Sequence, residues 1–230
     1  MKKIEPLKSG KYYHLYNRGI NSENIFLDKD DYFHFLRLYD KYMSPVAYTF
    51  AYVLMTNHFH LLVKIRDKVA YRYSNDSKLF DTERFNDIKW ETVDIGDDLS
   101  ACEAPDNVNG GKLPKPHMHL SHLCNAYAKY FNKRHERHGA LFERAFKRKM
   151  IDNGEYLKKL VLYIHNNPVH HGFCEHPVEY PWSSYLACIS VKPSKVHRNA
   201  VVGWFDSEAN FKELHNSKTN DISIEDWLGI

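Results

Sequence analysis

The spacing of apolar residues in the first third of the chain predicts three strands and a helix. Residues 12–18, Tyr-Tyr-His-Leu-Tyr-Asn-Arg, are typical of a strand. Asp28 stands where a helix N-cap is expected, and apolar residues then recur at helical spacing until Pro45. Residues 46–55 are rich in β-branched and aromatic types and predict a second strand. Residues 58–65 predict a third strand, and the short connection at Thr56-Asn57 indicates an antiparallel hairpin.

The second half of the chain continues with two helices and one strand. Apolar residues return at helical spacing over 119–133, and a strand is expected over 140–150. A last helix begins at Asp152 or Asn153 and is expected to end at Pro168, because proline lacks the N–H that a helix interior requires. The order β-α-β-β-α-β-α predicts an α+β fold, namely a ferredoxin-like split β-α-β antiparallel sheet with an additional C-terminal helix.

Charge is distributed unevenly, although the formal net charge is only +3. Residues 67–111 hold eleven acidic and five basic residues, and 67–114 show no clear periodicity, so we interpret this stretch as an acidic insertion or flexible flap. Residues 129–149 hold eight basic and two acidic residues. A basic segment of this kind attracts a polyanion, and an acidic one is repelled by it. Taken alone, the basic segment is equally consistent with an ordinary solvated surface.

Composition limits the class of protein. The chain has 230 residues, of which 43% are hydrophobic and 27% charged, a profile typical of a folded globular protein. No run of about 18 apolar residues is present and the N-terminus has no apolar signal segment, so neither a membrane span nor secretion is expected. The four cysteines are scattered without a CxxC pair, which favours reduced thiols in a cytoplasmic protein.

The first candidate for chemistry is His58-Phe59-His60. Side chains alternate between the two faces of a strand, so both imidazoles are expected on one face and Phe59 on the other. Two imidazoles on a rigid strand can form half of a metal site. The chain has 15 histidines, however, and for an isolated motif an accidental spacing is the more frequent explanation.

The second candidate is the segment 163–168, Tyr-Ile-His-Asn-Asn-Pro, at the end of the last predicted helix. Tyr163 and Asn167 are four residues apart and therefore neighbours on one helix face. The amide oxygen of Asn167 could serve as a third metal ligand beside the tyrosine. In isolation, a C-cap asparagine before proline and a half-buried core tyrosine are the more ordinary interpretation.

Several motifs in a fixed order resemble those of the single-tyrosine transposases, which belong to the HUH endonuclease superfamily. The run 54–63, Leu-Met-Thr-Asn-His-Phe-His-Leu-Leu-Val, resembles their His-hydrophobic-His motif. The segment 163–172, Tyr-Ile-His-Asn-Asn-Pro-Val-His-His-Gly, resembles their Y-I-x-x-N-P-V-x-x-G signature. Further matches lie at 130–135, 139–144 and 181–185. The branch that these motifs resemble is that of the transposases associated with repetitive extragenic palindromes.

The resemblance implies a metal-dependent enzyme that cleaves and rejoins DNA in transposition. It implies that Tyr163, on the additional C-terminal helix, attacks a DNA phosphate and leaves a 5′-phosphotyrosine and a free 3′-hydroxyl. It also implies that His58, His60 and Asn167 bind Mg²⁺ or Mn²⁺, which polarises the scissile phosphate. The implied partner is single-stranded DNA or a DNA hairpin.

With this resemblance, the basic segment becomes a candidate DNA-contact surface. Two other tyrosines, Tyr127 and Tyr130, lie in the preceding helix, but neither has a ligand-type side chain four residues later, so we interpret them as core or DNA-contact residues. The expected phosphate contacts are Arg18, Lys133, Arg134, Arg137, Arg144, Lys147 and Arg148.

The resemblance covers about residues 11–186, so 1–186 are expected to form one HUH transposase domain and 187–230 an extension of unassigned role. Thr56 stands where the family commonly has proline, and the acidic insertion has no obvious family counterpart. Two alternatives stay open: a non-catalytic, domesticated nucleic-acid-binding protein of ferredoxin-like fold, and a metal-dependent hydrolase that uses water. We expect a cytoplasmic, nucleoid-associated protein that is a monomer or homodimer.

Overall fold

A four-stranded antiparallel sheet forms the centre of the fold. The computed structural model describes residues 6–70, 92–94, 115–143 and 145–217. The strands in chain order are β1 (Tyr12–Arg18), β2 (Ala47–Leu54), β3 (His58–Ile65), β4 (Lys68–Ala70), β5 (Thr92–Asp94) and β6 (Lys147–Ile151). Four of them form the sheet in the order β2-β3-β1-β6, and β4 pairs with β5 in a separate two-stranded sheet.

Helices cover both faces of this sheet. They are α1 (Lys29–Met43), α2 (Pro116–Arg134), α3 (Gly154–His170), α4 (Tyr185–Ile189), α5 (Arg198–Trp204) and α6 (Glu208–Asn216). Apolar residues of α1 and α2 share one buried cluster with Leu15 and Phe59, whereas α3 and the later helices share a second cluster with Leu62. None of the helices in the described ranges is long and apolar enough to cross a membrane.

The connectivity confirms the fold class expected from the sequence. In the first β-α-β unit, α1 joins β1 to β2 while β3 lies between these two strands in the sheet. In the second unit, α2 joins β3 to β6 while β1 lies between them. Two such interlocked units make the ferredoxin-like split β-α-β sheet. The additional helix, α3, then packs on the face that α1 and α2 leave open.

Acidic side chains fix the start of α1 against the end of α2. Asp28 is the N-cap residue of α1 and accepts hydrogen bonds from the backbone N–H groups of Asp30 and Asp31. The carboxylate of Asp31 is fully buried and contacts the guanidinium of Arg134 at 2.9 Å and the ring of His135 at 3.0 Å. A buried carboxylate requires such partners because an unpaired charge in the interior is strongly unfavourable.

A buried chain of hydrogen bonds connects α6 to α3 and then to β2. The carbonyl of Phe211 can only accept, so Nδ1–H of His215 donates to it at 2.7 Å. With neutral rings, Nδ1–H of His165 then donates to Nε2 of His215 at 2.9 Å, and the hydroxyl of Ser184 donates to Nε2 of His165 at 2.7 Å. The backbone N–H of Tyr52 donates to the same hydroxyl oxygen at 2.8 Å.

Two element boundaries differ from the expectations. The strand expected over 140–150 is confined to Lys147–Ile151, because Ala145 has a positive φ of 56° that interrupts an extended chain. Pro168 does not end α3, which continues to His170. Proline in the last turn of a helix removes only its own N–H, and Gly172, with φ of 72°, reverses the chain instead.

The acidic insertion, expected over 67–114, lies mostly outside the described residues. Its described part includes β4 and β5, which pair in antiparallel register with Val69 opposite Val93 and Ala70 opposite Thr92. The sequence pattern does not predict this two-stranded pair, because strands of three residues are too short to establish a periodicity. The interpretation of the rest as a flexible flap stays a prediction.

Candidate active site

Strand alternation brings the candidate residues to the sheet face that α3 covers. On β3, Phe59 belongs to the buried cluster of α1 and α2, so His58 and His60 point to the opposite face. In the antiparallel register, Tyr16 of β1 is opposite His60, and Lys147 of β6 is opposite Tyr16 on the other side. The site therefore lies across three adjacent strands.

The two sequence motifs meet at a hydrogen bond. Nε2 of His58 lies 3.1 Å from Oδ1 of Asn167, although the residues are 109 positions apart in the chain. Nδ1 of His58 lies 2.6 Å from Oδ1 of Asn57 on the other side of the ring, and because a neutral imidazole has one N–H, it donates to only one of these two oxygens at a time. Asn167 is 1% exposed and lies inside α3, so the helix C-cap interpretation of this residue is wrong.

Tyr163 lies one helical turn before Asn167 and packs against His60. The two rings are edge to face, with centroids 5.3 Å apart. Tyr163 is only 4% exposed and belongs to the buried cluster around α3. The structure thus brings Tyr163, Asn167, His58 and His60 together, as the motif spacing predicts, and leaves the tyrosine almost fully covered.

Two further histidines belong to this site and are missed by the sequence analysis. His14 of β1 is fully buried, and its Nε2 lies 2.9 Å from Nδ1 of His60. His171 is exposed one turn after Asn167, with its ring centroid 5.5 Å from that of His58. The sequence signal for His14 is a histidine among the aromatic and aliphatic residues of 12–16. For His171 it is the helical spacing from Tyr163 and Asn167.

Burial favours the neutral form of three imidazoles of the site, those of His14, His58 and His60. The pKa of His58 is lowered to about 4, mainly by desolvation; the Asn167 hydrogen bond opposes this shift, and the nearby His171 and Arg18 add to it. Burial and the neighbouring histidines also hold the pKa of His60 well below its ordinary value. Burial, followed by the charge of Lys149, lowers the pKa of His14 to about 3. Neutral imidazoles retain the lone pair that a metal ligand needs.

The donor set fits a divalent cation in its chemistry. In the described ranges, no group of three or more His, Cys, Asp or Glu side chains could hold a metal ion. The candidate set is different because its third member is the amide of Asn167. The 3.1 Å between Nε2 of His58 and Oδ1 of Asn167 is about the separation of adjacent ligands around an octahedral ion with bonds of about 2.1 Å. Because Nδ1 of His60 faces His14, Nε2 is the nitrogen that His60 could offer.

Several of the expected DNA contacts already have partners inside the protein. Arg134 binds the carboxylates of Asp28, Asp30 and Asp31. Arg137 pairs with Glu23 and donates to the carbonyl of Ala140 at 2.8 Å, and Arg18 pairs with Glu143 while its side chain is 56% exposed. The guanidinium groups of Arg134 and Arg137 are thus used in tertiary structure.

The remaining basic residues are distributed over α2 and β6. Lys133 and Lys147 are exposed, and the ammonium of Lys147 lies 5.7 Å from the ring centroid of Tyr16, on the face of the candidate site. Arg148 is half-buried on the other face, with its guanidinium 4.2 Å from the ring centroid of Phe146. Arg144 lies outside the described residues.

The competing tyrosines of α2 have structural surroundings. Tyr127 is fully buried between the sheet and α1, and its hydroxyl donates to the carbonyl of Ile25. Tyr130 stacks on His34 with centroids 3.6 Å apart and accepts from Arg134. Both residues lie on the helix that covers the opposite face of the sheet from His58 and His60.

The fold and the site together define a class of protein: a ferredoxin-like domain with a histidine pair on its central sheet and a tyrosine on the helix that covers it. A solved structure of a REP-associated tyrosine transposase bound to a REP hairpin is similar to this chain, with a TM-score of 0.50 and 14% sequence identity. The similarity covers 84% of this chain and 88% of that one. It confirms, at the level of the fold, the resemblance carried by the sequence motifs. No family model matches the chain, and the comparison with curated proteins finds no match.

Proposed function

We propose that this protein is a DNA transposase that cleaves and rejoins single-stranded DNA through a 5′-phosphotyrosine at Tyr163, at hairpin or palindromic sequences. One observation carries the proposal: the His-x-His strand and the tyrosine helix, more than 100 positions apart in the chain, meet through the 3.1 Å contact between His58 and Asn167. The neighbouring structure, a tyrosine transposase bound to a REP hairpin, supports the class of activity and the hairpin partner.

In this proposal, His58, His60 and Asn167 hold a divalent cation, Mg²⁺ or Mn²⁺. When bound, such an ion neutralises charge on the scissile phosphate and on the attacking oxygen. The protein supplies neutral imidazoles, an amide oxygen fixed inside α3, and a covered position that limits the entry of water. Imidazole ligands suit transition metals better than Mg²⁺, so this donor set favours Mn²⁺ of the two ions.

Tyr163 forms the covalent bond in this proposal. Its phenolic oxygen bonds to phosphorus, the 3′-oxygen of the preceding nucleotide leaves as a hydroxyl, and the phenolic proton goes to solvent or to a neighbouring base. The phosphotyrosine keeps the energy of the phosphodiester, so a second 3′-hydroxyl can reverse the step and join a new DNA end. Because Tyr163 is 4% exposed, DNA must reach its hydroxyl by displacing part of the cover around it.

The proposed DNA path follows the end of the sheet at which His58 and Arg18 are opposite each other. The segment after α2 returns to this end, where the backbone N–H of Glu143 donates to the carbonyl of Arg18. Side chains with exposed charge near this end or on the site face are the proposed phosphate contacts. These are Arg18, Lys133 and Lys147.

The decisive experiment tests for a covalent adduct. We expect wild-type protein with Mn²⁺ and a labelled hairpin oligonucleotide to give a labelled band that survives denaturing electrophoresis. The variant Tyr163→Phe should bind the same oligonucleotide and give no such band, because only the attacking oxygen is removed. Tyr130→Phe is the matched control and should keep the band. Adduct formation by Tyr163→Phe at the wild-type level would contradict the assignment of the nucleophile.

The burial of Tyr163 favours one second candidate, a non-catalytic protein that binds hairpin DNA. The same experiment separates the two functions. The binding protein would be supported if the wild-type protein binds the hairpin oligonucleotide in a salt-sensitive manner but forms no covalent adduct with either Mg²⁺ or Mn²⁺. The double variant His58→Ala/His60→Ala should lose the adduct and keep binding if the enzyme is correct, because the proposed phosphate contacts lie on other residues.

A further inference from the structure

His14 is the one buried histidine of the site that the proposed chemistry leaves unused. It lies on β1, directly opposite Leu62 of the neighbouring strand β3 and diagonal to His60 on the same strand. The rings of His14 and His60 are nearly parallel, with centroids 5.1 Å apart and 17° between their planes. Tyr16 stacks on His14 at 4.6 Å and 18°, which restricts rotation of that ring. His14 is therefore held in one orientation behind a candidate metal ligand.

The contact between the two rings permits only two arrangements of protons. Both rings are buried and neutral, so the 2.9 Å contact between Nε2 of His14 and Nδ1 of His60 holds one proton. If His60 donates, its Nε2 carries a lone pair that can bind a cation. If His14 donates, His60 carries its own proton on Nε2 and cannot bind one. The direction of a single hydrogen bond thus decides whether His60 is a ligand.

The other nitrogen of His14 adds a second observation. Nδ1 of His14 is buried and has no hydrogen-bond partner among the described residues. When His60 donates, this nitrogen carries the proton of His14; when His14 donates, it carries a lone pair. Each arrangement leaves one polar atom unsatisfied, so neither is strongly excluded, and a ligand at His60 can select between them.

We propose that His14 is a positioning residue that accepts a hydrogen bond from Nδ1–H of His60 and so presents Nε2 of His60 to a divalent cation. The inference rests on the proposed function only in assigning His60 as a metal ligand. Outer partners of this kind fix the tautomer and the ring orientation of a ligating histidine, and their loss weakens metal binding by about 10- to 100-fold.

Metal titration in a background without the nucleophile tests the proposal separately from DNA chemistry. In Tyr163→Phe protein, Mn²⁺ binding is measured by calorimetry with His14, with H14Q and with H14L. Glutamine places an amide oxygen near the position of Nε2, so H14Q should retain most of the affinity. Leucine has no acceptor, so H14L should bind Mn²⁺ about 10- to 100-fold more weakly. Equal affinities of H14L and the parent, with circular dichroism that confirms folding, would overturn the proposal.

A direct spectroscopic measurement covers the case in which H14L does not fold. Long-range ¹H–¹⁵N correlation spectra of ¹⁵N-histidine-labelled protein report which ring nitrogen carries the proton. With saturating Mg²⁺, which is diamagnetic, His60 should be protonated at Nδ1 and unprotonated at Nε2. Protonation of His60 at Nε2 in that sample, or no binding of either cation by the parent, would overturn the proposal.

The two proposals fail in different ways. If wild-type protein forms no DNA adduct but H14L weakens Mn²⁺ binding, the DNA chemistry is wrong and the role of His14 stands. If adducts form and H14L binds Mn²⁺ as tightly as the parent, the role of His14 is wrong and the DNA chemistry stands.

Discussion

The backbone at Gly19 leaves no room for a side chain. A Cβ atom there would stand 2.0 Å from the carbonyl oxygen of Glu23 and 3.0 Å from its carbon, both of which are backbone atoms that cannot move aside cheaply. The N–H of Gly19 also donates to the carbonyl of Asn57 at 2.8 Å, next to His58. This contact ties the end of β1 to the turn that begins the histidine strand.

We therefore expect Gly19→Ala to destabilise the protein by more than about 2 kcal/mol, because relief of the overlap must displace backbone. Gly203→Ala is the matched control, since nothing lies within 4 Å of its Cβ position inside α5. This change should stabilise by about 0.5–1 kcal/mol through helix propensity. Urea denaturation of both variants measures the difference, and a Gly19→Ala variant as stable as wild type would contradict the close approach.

Lys133 and Arg134 are adjacent and both exposed on α2, but the structure binds Arg134, and not Lys133, to three carboxylates. We expect Lys133→Ala to reduce the slope of log affinity against log salt by about one, as loss of one phosphate contact does. Arg134→Ala should leave that slope unchanged and lower the unfolding temperature, because it leaves Asp31 buried without its main partner. Equal changes of slope in both variants would assign Arg134 to the DNA surface.

At the residue scale, motif spacing identifies the candidate metal ligands and the candidate nucleophile, but not the residue that orients a ligand from behind. His58, His60, Tyr163 and Asn167 follow from alternation on a strand and from i, i+4 spacing on a helix, which are local properties of sequence. The role of His14 depends on β1 pairing with β3 in one register, and a shift by one residue would turn its ring to the other face. No local pattern specifies that register.

At the element scale, α6 is held to α3 by the buried chain of hydrogen bonds through His215, His165 and Ser184. His215→Leu removes the acceptor for Nδ1–H of His165 and leaves that donor buried without a partner. We expect a loss of about 1–3 kcal/mol in the free energy of unfolding. Lys212→Ala on the exposed side of the same helix is the control and should have a much smaller effect, because it removes only a surface ion pair with Glu208. Chemical denaturation compares them, and equal stabilities would mean that α6 does not depend on this chain.

The elements that the sequence predicts well are those with a sharp local signal. Strands 12–18 and 58–65 have the expected bounds, because Gly19 follows the first strand and the short Thr56-Asn57 connection precedes the second. The segment 140–146 is as apolar as a strand, yet its only described pairing of this kind is a single bridge between Phe142 and Gly19. Ala145, whose φ is positive, separates this segment from β6, and no glycine marks the position in the sequence.

At the scale of the whole molecule, several buried histidines make stability depend on pH. Burial lowers the pKa of His14 to about 3 and those of His58 and His215 to about 4. Below about pH 6.5, the unfolded chain takes up protons at these positions and the folded chain does not. Each such histidine therefore lowers the free energy of unfolding by about 1.4 kcal/mol per pH unit as pH falls from about 6.5 towards 4.

We expect the unfolding temperature to fall steeply between pH 6.5 and pH 5, a range in which most surface carboxylates remain charged. Thermal unfolding followed by circular dichroism at half-unit steps measures the profile. His215→Gln should make the dependence of the unfolding temperature on pH shallower, because one buried histidine is removed. His138→Gln, at an exposed position, should leave this dependence unchanged. A flat profile over this range would mean that the buried rings are accessible to protons in the folded state.

The pairing of β4 with β5 has a consequence for chain entropy. It brings Ala70 and Thr92 opposite each other, so the 71–91 segment starts and ends at one place, and its length does not enter the geometry of the central sheet. The entropy lost on closing a flexible segment grows only as the logarithm of its length. Replacing 71–91 by an Asn-Gly turn should thus stabilise the pairing of β4 with β5 by on the order of 1–2 kcal/mol. Because each doubling of the length costs only about 0.6 kcal/mol, moderate changes in the length of this segment should alter the stability of the fold little.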